Sequence, residues 1–176
     1  HMAETTAGIF VTMATWCPSF APHAINMQAG RFTYRPGESG RHHACVKSRM
    51  VLRCVNGRGR IKVNGSLYPL AAGELLFLPW GHDIRYLPDR TEPFCLSGLH
   101  IVPDFRPSQG SFNYGIPHFP DQTEFHNPDR RDRDLPGLKG VVRGWAEPRD
   151  PLNLLGDYAV RLFQGPAPEE WVARHL

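Results

Sequence analysis

Long apolar runs are missing from this 176-residue sequence, because none approaches the ~18 consecutive residues that a membrane-spanning helix needs. No apolar segment follows His1 and Met2, so we expect no retained secretion signal. A GxSxG motif and a glycine-rich turn leading into a helix are absent as well, which leaves serine-hydrolase chemistry and a phosphate-binding loop without support. With 41% hydrophobic and 21% charged residues, the composition is that of a globular domain.

Cysteines are few, and none forms a recognisable pair. The sequence has Cys17, Cys45, Cys54 and Cys95, with no CxxC motif and no zinc-binding spacing. Most of them lie inside apolar, strand-like runs, which is typical of buried thiols. We therefore expect reduced core cysteines in a cytoplasmic protein.

Acidic residues are absent between Glu38 and Glu74. The same stretch contains seven basic residues: Arg41, Lys47, Arg49, Arg53, Arg58, Arg60 and Lys62. Such a patch can contact nucleic acid or an anionic ligand, or it can be the solvated face of a pair of strands. The alternation of these residues with apolar ones favours the solvated face.

Glycine and proline are abundant by contrast, with 17 of each, which indicates many turns and argues against a helical bundle. From Gly30 onward, short runs alternate apolar and polar residues and are separated by turns every ~8–12 residues. This pattern is typical of an all-β sandwich or barrel. Between 103 and 140 the chain is rich in proline, and we expect a strand at 111–116 and a solvated loop at 129–134 there.

The strand pattern is clearest within the basic stretch. Met50, Leu52 and Cys54 fall on one strand face, and the arginines beside them fall on the other. Asn56-Gly57 and Asn64-Gly65 are both hairpin signals. Together they predict a β-meander whose basic residues gather on its outer face.

Two helices are predicted near the end of the sequence. Asp150 followed by Pro151 is a typical helix start, and Gly165-Pro166 a typical end. Apolar residues recur between them at helical spacing: Leu152, Leu155, Ala159 and Leu162. A second helix begins at Pro168 and meets no stop signal, so we expect the natural protein to continue beyond it.

A family resemblance rests on two segments, Val51–Gly65 and Tyr68–Pro79, and on the residue Tyr86. Their order and spacing, between Arg41 and Phe105, resemble the cupin fold and, more narrowly, the amino-terminal effector-binding and dimerisation domain of AraC-family transcription regulators of the arabinose-binding type. The resemblance implies a mainly β fold, a cupin-like double-stranded β-helix or jelly-roll barrel followed by C-terminal α-helices. It also implies an N-terminal arm and lead-in (1–29), an effector-binding barrel (30–145) and linker and dimerisation helices (146–176).

The resemblance further implies a ligand site inside the barrel. The positions that hold the sugar in arabinose-binding relatives correspond here to Arg41, Tyr86 and His100. Trp80 would line the mouth of the pocket, and Trp16 on the arm would close over it. The alternatives are that Tyr86 and His100 are ordinary core residues and that Trp80 packs at a corner of the barrel. A histidine that the relatives have two residues before His100 is glycine in this sequence, which leaves the identity of the ligand open.

Cupin enzymes use the same interior to hold a metal, with two histidines and a glutamate from one motif and another histidine from a second. His42 and His43 match the first two positions. The glutamate position falls near Met50 and the last histidine position at Ile84, while His82 stands two residues early. Because the ligands cannot be assembled in the expected pattern, we predict no metal and no other cofactor, and we expect the histidine pair to be ordinary strand residues.

These inferences favour a ligand-sensing, dimerising module over an enzyme. The expected partners are a small effector such as a sugar, a second copy of the chain held through the helix at 152–163, and DNA reached only through a helix-turn-helix domain outside this sequence. The alternative from another class is a metal-dependent cupin enzyme, an isomerase or dioxygenase. A cupin-like structural domain without a ligand also remains open, as does packing of the helix on its own barrel.

Overall fold

The computed structural model describes residues 23–106 and 115–166. Within those ranges the chain forms eleven β-strands and one α-helix, with one short 3-10 helix at Thr123–His126. The strands are β1 (Ile25–Thr33), β2 (His42–Val46), β3 (Arg49–Asn56), β4 (Arg58–Val63), β5 (Ser66–Ala71), β6 (Glu74–Leu78), β7 (His82–Pro88), β8 (Cys95–Val102), β9 (Asp104–Phe105), β10 (Arg130–Arg131) and β11 (Val142–Trp145). The α-helix, α1, covers Pro151–Phe163. The expected strand at 111–116 and the helix after Pro168 lie largely or wholly outside the described residues.

Two antiparallel sheets dominate the described part of the chain. One has the strand order β1-β8-β3-β6-β11 and the other β2-β7-β4-β5. Their apolar faces meet in a single core, to which the first sheet contributes Leu52, Leu76 and Leu96, and the second Ile61 and Ile84. The fold is therefore mainly β and cupin-like, which confirms the fold predicted from the sequence.

The turn at Asn56-Gly57 is a corner of the barrel, so the predicted meander is wrong at this point. β3 and β4 belong to different sheets and do not pair. Gly57 has a φ of 71°, and a Cβ added there would lie 2.3 Å from the Pro93 carbonyl oxygen. The dipeptide correctly indicates a tight turn, but local chemistry does not decide whether the flanking strands pair. Asn64-Gly65 does close a hairpin, in which Val63 of β4 pairs with Ser66 of β5.

The outer face of β3 is covered rather than solvated, which corrects the expectation for its two arginines. Arg49 is 3% exposed, and it donates to the Asp132 carboxylate from Nε at 2.7 Å and from Nη2 at 3.0 Å. The charged run 129–134 is therefore anchored to the barrel, and Arg130 within it is also buried. The other part of the patch follows the prediction, because Arg58, Arg60 and Lys62 on β4 are exposed.

Arg53 makes the corresponding connection to α1. It is 5% exposed and donates to Asp157 Oδ1 at 2.6 Å, to Asn153 Oδ1 at 2.8 Å and to Ser97 Oγ at 3.1 Å. Gly156 makes the approach possible, since a Cβ there would lie 2.7 Å from the Arg53 guanidinium carbon. A buried arginine that satisfies its donors in this way holds the helix against the sheet.

α1 begins and ends where the sequence predicts. The Asp150 side chain accepts a hydrogen bond from the Leu152 amide at 2.9 Å, and the helix stops at Phe163. Its buried residues are Ala159 and Val160, whereas Leu155 from the predicted stripe is 48% exposed. The described ranges contain no helix that combines the length and apolarity of a membrane span.

The three described cysteines are free thiols, as expected: Cys45, Cys54 and Cys95. Cys54 is buried, and this burial raises its pKa to about 12, so that it stays protonated. Cys17 lies outside the described residues.

Candidate ligand cavity

A cavity of about 190 Å³ lies inside the barrel. Strands β1, β2, β3, β7 and β8 all contribute to its wall, and His118 joins them from the segment after residue 115. The lining includes four histidines, which we call the histidine cluster: His43, His82, His100 and His118. Among the described residues that line the cavity, none is acidic.

The structure brings three of the five predicted site residues to this cavity. Arg41, Tyr86 and His100 all line it. Trp80 is half-buried and packs against the barrel core without lining the cavity, and Trp16 lies outside the described residues. Gly98, for which the sequence resemblance implies a histidine, lines the cavity two residues before His100 on β8.

Sequence reasoning missed the members of the cluster that come from distant segments. The ring centroids of His43 and His118 are 4.3 Å apart, although 75 residues separate them in the chain. His118 follows a proline-rich stretch without periodicity, so no local signal assigns it to the barrel. The sequence pattern presents His82 only as a misplaced metal ligand, yet it is a fully buried member of the wall.

The geometry of His82 determines which of its nitrogens is available. Nδ1 lies 2.7 Å from the Pro79 carbonyl oxygen, and because a carbonyl only accepts, Nδ1 must donate. Nε2 is buried and has no hydrogen-bond partner among the described residues. Burial lowers the pKa of His82 to about 4, the Pro79 hydrogen bond opposes this shift, and His118 and His43 reinforce it. At neutral pH, His82 thus presents an unshared lone pair at Nε2.

The other three histidines are also uncharged at neutral pH. Burial lowers the pKa of His100 to about 3 and that of His118 to about 4, with smaller contributions from neighbouring histidines. Burial lowers the pKa of His43 as well, assisted by Arg41 and His42. His100 Nδ1 is 2.8 Å from Ser48 Oγ, whereas His43 Nδ1 is buried without a partner in the described part of the chain. The cluster therefore offers several neutral donors and acceptors in a small volume.

Aromatic rings form another part of the wall. The Phe32 and Tyr86 ring centroids are 5.5 Å apart in an edge-to-face arrangement, and those of Tyr34 and Tyr86 are 6.2 Å apart. Burial raises the pKa of both tyrosines, so their hydroxyls remain donors. The Arg41 main chain lies near Tyr34 Oη and partly opposes the rise in the pKa of Tyr34. The contact between the two groups does not have hydrogen-bond geometry, so Oη has no partner among the described residues.

The donor set does not match a cupin metal centre. The described residues contain no group of three or more histidine, cysteine, aspartate or glutamate side chains arranged to hold a metal ion. Met50 and Ile84 line the cavity at the positions where cupin enzymes have a glutamate and a histidine. Of the histidine pair on β2, only His43 lines the cavity, whereas His42 is exposed and its Nε2 lies 2.9 Å from Asp83 Oδ2.

A larger groove of about 1040 Å³ lies on the outside of the barrel, between the 37–40 turn and β4, β5 and β7. It is more open than the inner cavity, and one of its three lining arginines, Arg58, is already paired with carboxylates. Arg58 lies 3.7 Å from Asp89 and 3.4 Å from Glu92. The inner cavity, with unpartnered polar atoms, is therefore the stronger candidate for a binding site.

Comparison with known proteins finds distant structural similarity. No protein-family model matches the sequence, and no curated protein does. Similar solved structures include a cupin protein from Bacteroides fragilis (15% identity, TM-score 0.39, covering 52% of this chain and 73% of that one). Another is the protein YhaK from Escherichia coli (14% identity, TM-score 0.45, covering 74% of this chain and 46% of that one). A third is apo ToxT K231A from Vibrio cholerae (10% identity, TM-score 0.42, covering 82% of this chain and 50% of that one). The chain thus spans about half the length of YhaK and of ToxT.

Proposed function

We propose that this chain is the ligand-sensing and dimerisation domain of an AraC-type transcription regulator, and that its barrel binds a small polar effector without transforming it. The observation that carries the proposal is the barrel cavity, whose lining includes three buried polar atoms that lack partners among the described residues: Tyr34 Oη, His43 Nδ1 and His82 Nε2. Each such atom costs about 1–3 kcal/mol of stability. A ligand that supplies the missing hydrogen bonds recovers this cost.

The position of α1 supports a role in dimerisation. Its outer face exposes large apolar side chains, with Leu154 57%, Leu155 48% and Tyr158 47% accessible. The helix is attached through Arg53 to β3, and the same strand lines the cavity through Met50. A ligand with different affinities for two arrangements of β3 and α1 would shift how two copies associate. DNA would then be contacted by a further domain outside this chain, in the cytoplasm.

A thermal-shift series on the purified chain tests the binding function. Its arms are pentoses and hexoses, the effector class that the family resemblance implies, together with small carboxylic acids, amides, and divalent metals with a chelator control. A ligand at about 100 times its dissociation constant adds roughly 2.7 kcal/mol, which raises the melting temperature by several degrees. Stabilisation by an organic ligand, unaffected by chelator, supports the proposal. Stabilisation by metal that the chelator reverses contradicts it and favours a cupin enzyme.

A matched pair of variants ties any stabilisation to the cavity. Tyr34→Phe removes an unpartnered hydroxyl from the cavity wall, whereas Tyr158→Phe removes an exposed hydroxyl on α1. Ligand stabilisation should weaken in the first variant and persist in the second. An equal response in both variants would place the ligand elsewhere.

A further inference from the structure

The charges around the barrel cavity favour a negatively charged ligand. Arg41 is the one permanently charged side chain among the described residues that line the cavity, and no carboxylate among them opposes it. Neutral histidines and tyrosines, together with Gln28, make up the rest of the polar lining, and all of them can donate hydrogen bonds. An anion therefore meets one fixed positive charge and no described lining group of its own sign.

The hydrogen bonding of His82 leaves its Nε2 available to hold a proton next to a bound anion. Its Nδ1 already donates to the Pro79 carbonyl oxygen, which orients the ring and leaves Nε2 for a ligand. If Nε2 is protonated, His82 donates from both nitrogens, and the new donor needs an acceptor. A carboxylate oxygen is such an acceptor, and it forms a charge-assisted hydrogen bond with an imidazolium.

We propose that the effector is a small carboxylic acid, and that the histidine cluster takes up one proton, held at His82 Nε2, when the carboxylate form binds. The inference rests on the proposed ligand-binding function and names its ligand class. The step balances as protein plus carboxylate plus one proton from solvent giving a complex with the same net charge as the protein without ligand. A new N–H bond forms at Nε2, and no redox change or leaving group is involved.

The groups around His82 are compatible with this step. His43 on β2, His100 on β8 and His118 are uncharged at neutral pH because burial lowers the pKa of each. Asp83, the next residue on β7, is paired with His42 outside the cavity. Burial and the neighbouring His118 and His43 oppose protonation of His82, whereas Asp83 favours it. Without a bound anion, burial therefore disfavours the proton at His82, and a carboxylate supplies the charge that retains it.

Isothermal titration calorimetry on the full chain tests the inference. The probes are butanoate and benzoate, with butanamide and benzamide as uncharged analogues of the same shape. Each is titrated at pH 6, 7 and 8 in two buffers of different ionisation enthalpy. We expect about one proton taken up per carboxylate, and an affinity that falls about tenfold for each pH unit of increase. The amides should show no proton uptake and no such dependence.

Three variants test whether His82 is the residue that takes up the proton. His82→Gln removes the titrating ring and should abolish uptake while amide binding persists. If that variant does not fold, His118→Asn alters the cluster at a half-buried position and should change the measured uptake. His42→Gln is the matched control, because His42 is an exposed histidine next to His43 that does not line the cavity. Full proton uptake in a folded His82→Gln protein would overturn the assignment to His82.

The remaining outcomes separate this inference from the proposed function. Binding of arabinose, with no binding of the acids, overturns the inference and leaves the ligand-sensing function standing. Binding of zinc alone overturns both. Acid binding with no proton uptake overturns the proton step. If neither acids nor their amides bind, the inference fails, and the thermal-shift series decides the function independently.

Discussion

The barrel interior has two regions with opposite character. In the packed region, Leu52, Ile61 and Phe94 are completely inaccessible and fill the space between the sheets. In the cavity region, the histidine cluster and Tyr34 line a cavity of about 190 Å³, and some of their buried polar atoms have no partner in the described chain. Close packing in the first region stabilises the fold, whereas the unpartnered polar atoms in the cavity region lower its stability. A local loss of stability of this kind is typical of a binding site in which a ligand supplies the missing hydrogen bonds.

The largest expected effect is in the packed region. Leu52→Ala should lower the free energy of unfolding by about 2–5 kcal/mol, because it removes methyl groups from a site with no room to collapse. Leu67 on β5 is 47% exposed, so Leu67→Ala is the matched control and should cost less than about 1 kcal/mol. Urea denaturation measures both. Similar losses in the two variants would mean that the two sheets do not enclose a packed core.

The second effect is a pH dependence that belongs to the cavity region. The pKa of His82 is about 4 in the folded chain, below the ordinary value of 6.5, so the unfolded chain binds more protons between these values. Stability is therefore complete above pH 6.5 and decreases as the pH falls towards 4. For His82 alone, the free energy of unfolding should drop by about 2 kcal/mol between pH 7 and 5.

Denaturation at a series of pH values, on the parent chain and His82→Gln, measures this dependence. The variant should lose a corresponding part of the slope between pH 6.5 and 5. A stability that is flat over this interval in the parent chain would show that the histidine cluster is solvated.

A smaller effect of opposite sign is expected for Tyr34→Phe without ligand. Removing a buried hydroxyl that has no partner in the described chain should raise the free energy of unfolding by about 1 kcal/mol. Tyr158→Phe, at an exposed position, should change it by less than about 0.5 kcal/mol. Destabilisation by Tyr34→Phe would mean that the hydroxyl is satisfied and that the two regions differ less than their geometry indicates.

The smallest effect on stability is expected outside the barrel, on the outer face of α1. Leu154→Glu places a charge on a 57% exposed position and should change monomer stability by about 0.5 kcal/mol or less. If this face holds two copies together, light scattering should show a dimer in the parent chain and a monomer in the variant. A dimer in both proteins would place the interface elsewhere.

Local sequence patterns account for much of the fold. The alternation of Met50, Leu52 and Cys54 predicts an inward strand face, and these residues belong to the core. Asn64-Gly65 predicts a hairpin turn, and Asp150 predicts the start of α1, as the structure confirms. Each signal succeeds because its cause lies within a few neighbouring residues.

Features that depend on distant segments could not be predicted in this way. The burial of Arg49 and Arg53 follows from their coverage by the 132–138 segment and by α1, which is about a hundred residues away from Arg53. The Asn56-Gly57 corner depends on Pro93, whose carbonyl occupies the space that a side chain would need. Charge and turn chemistry describe a residue's preference but not what packs against it.

The candidate site shows most clearly the difference between features that local sequence predicts and features that depend on distant segments. By itself, the sequence determined a mainly β barrel with turns, caps and an inward apolar face, because those properties depend on local backbone and side-chain preferences. Only the tertiary structure brought His43, His82, His100 and His118 together and left His82 Nε2 without a partner among the described residues. Closing two sheets over one another joins distant strands, and the shared burial, rather than any motif, makes those histidines neutral.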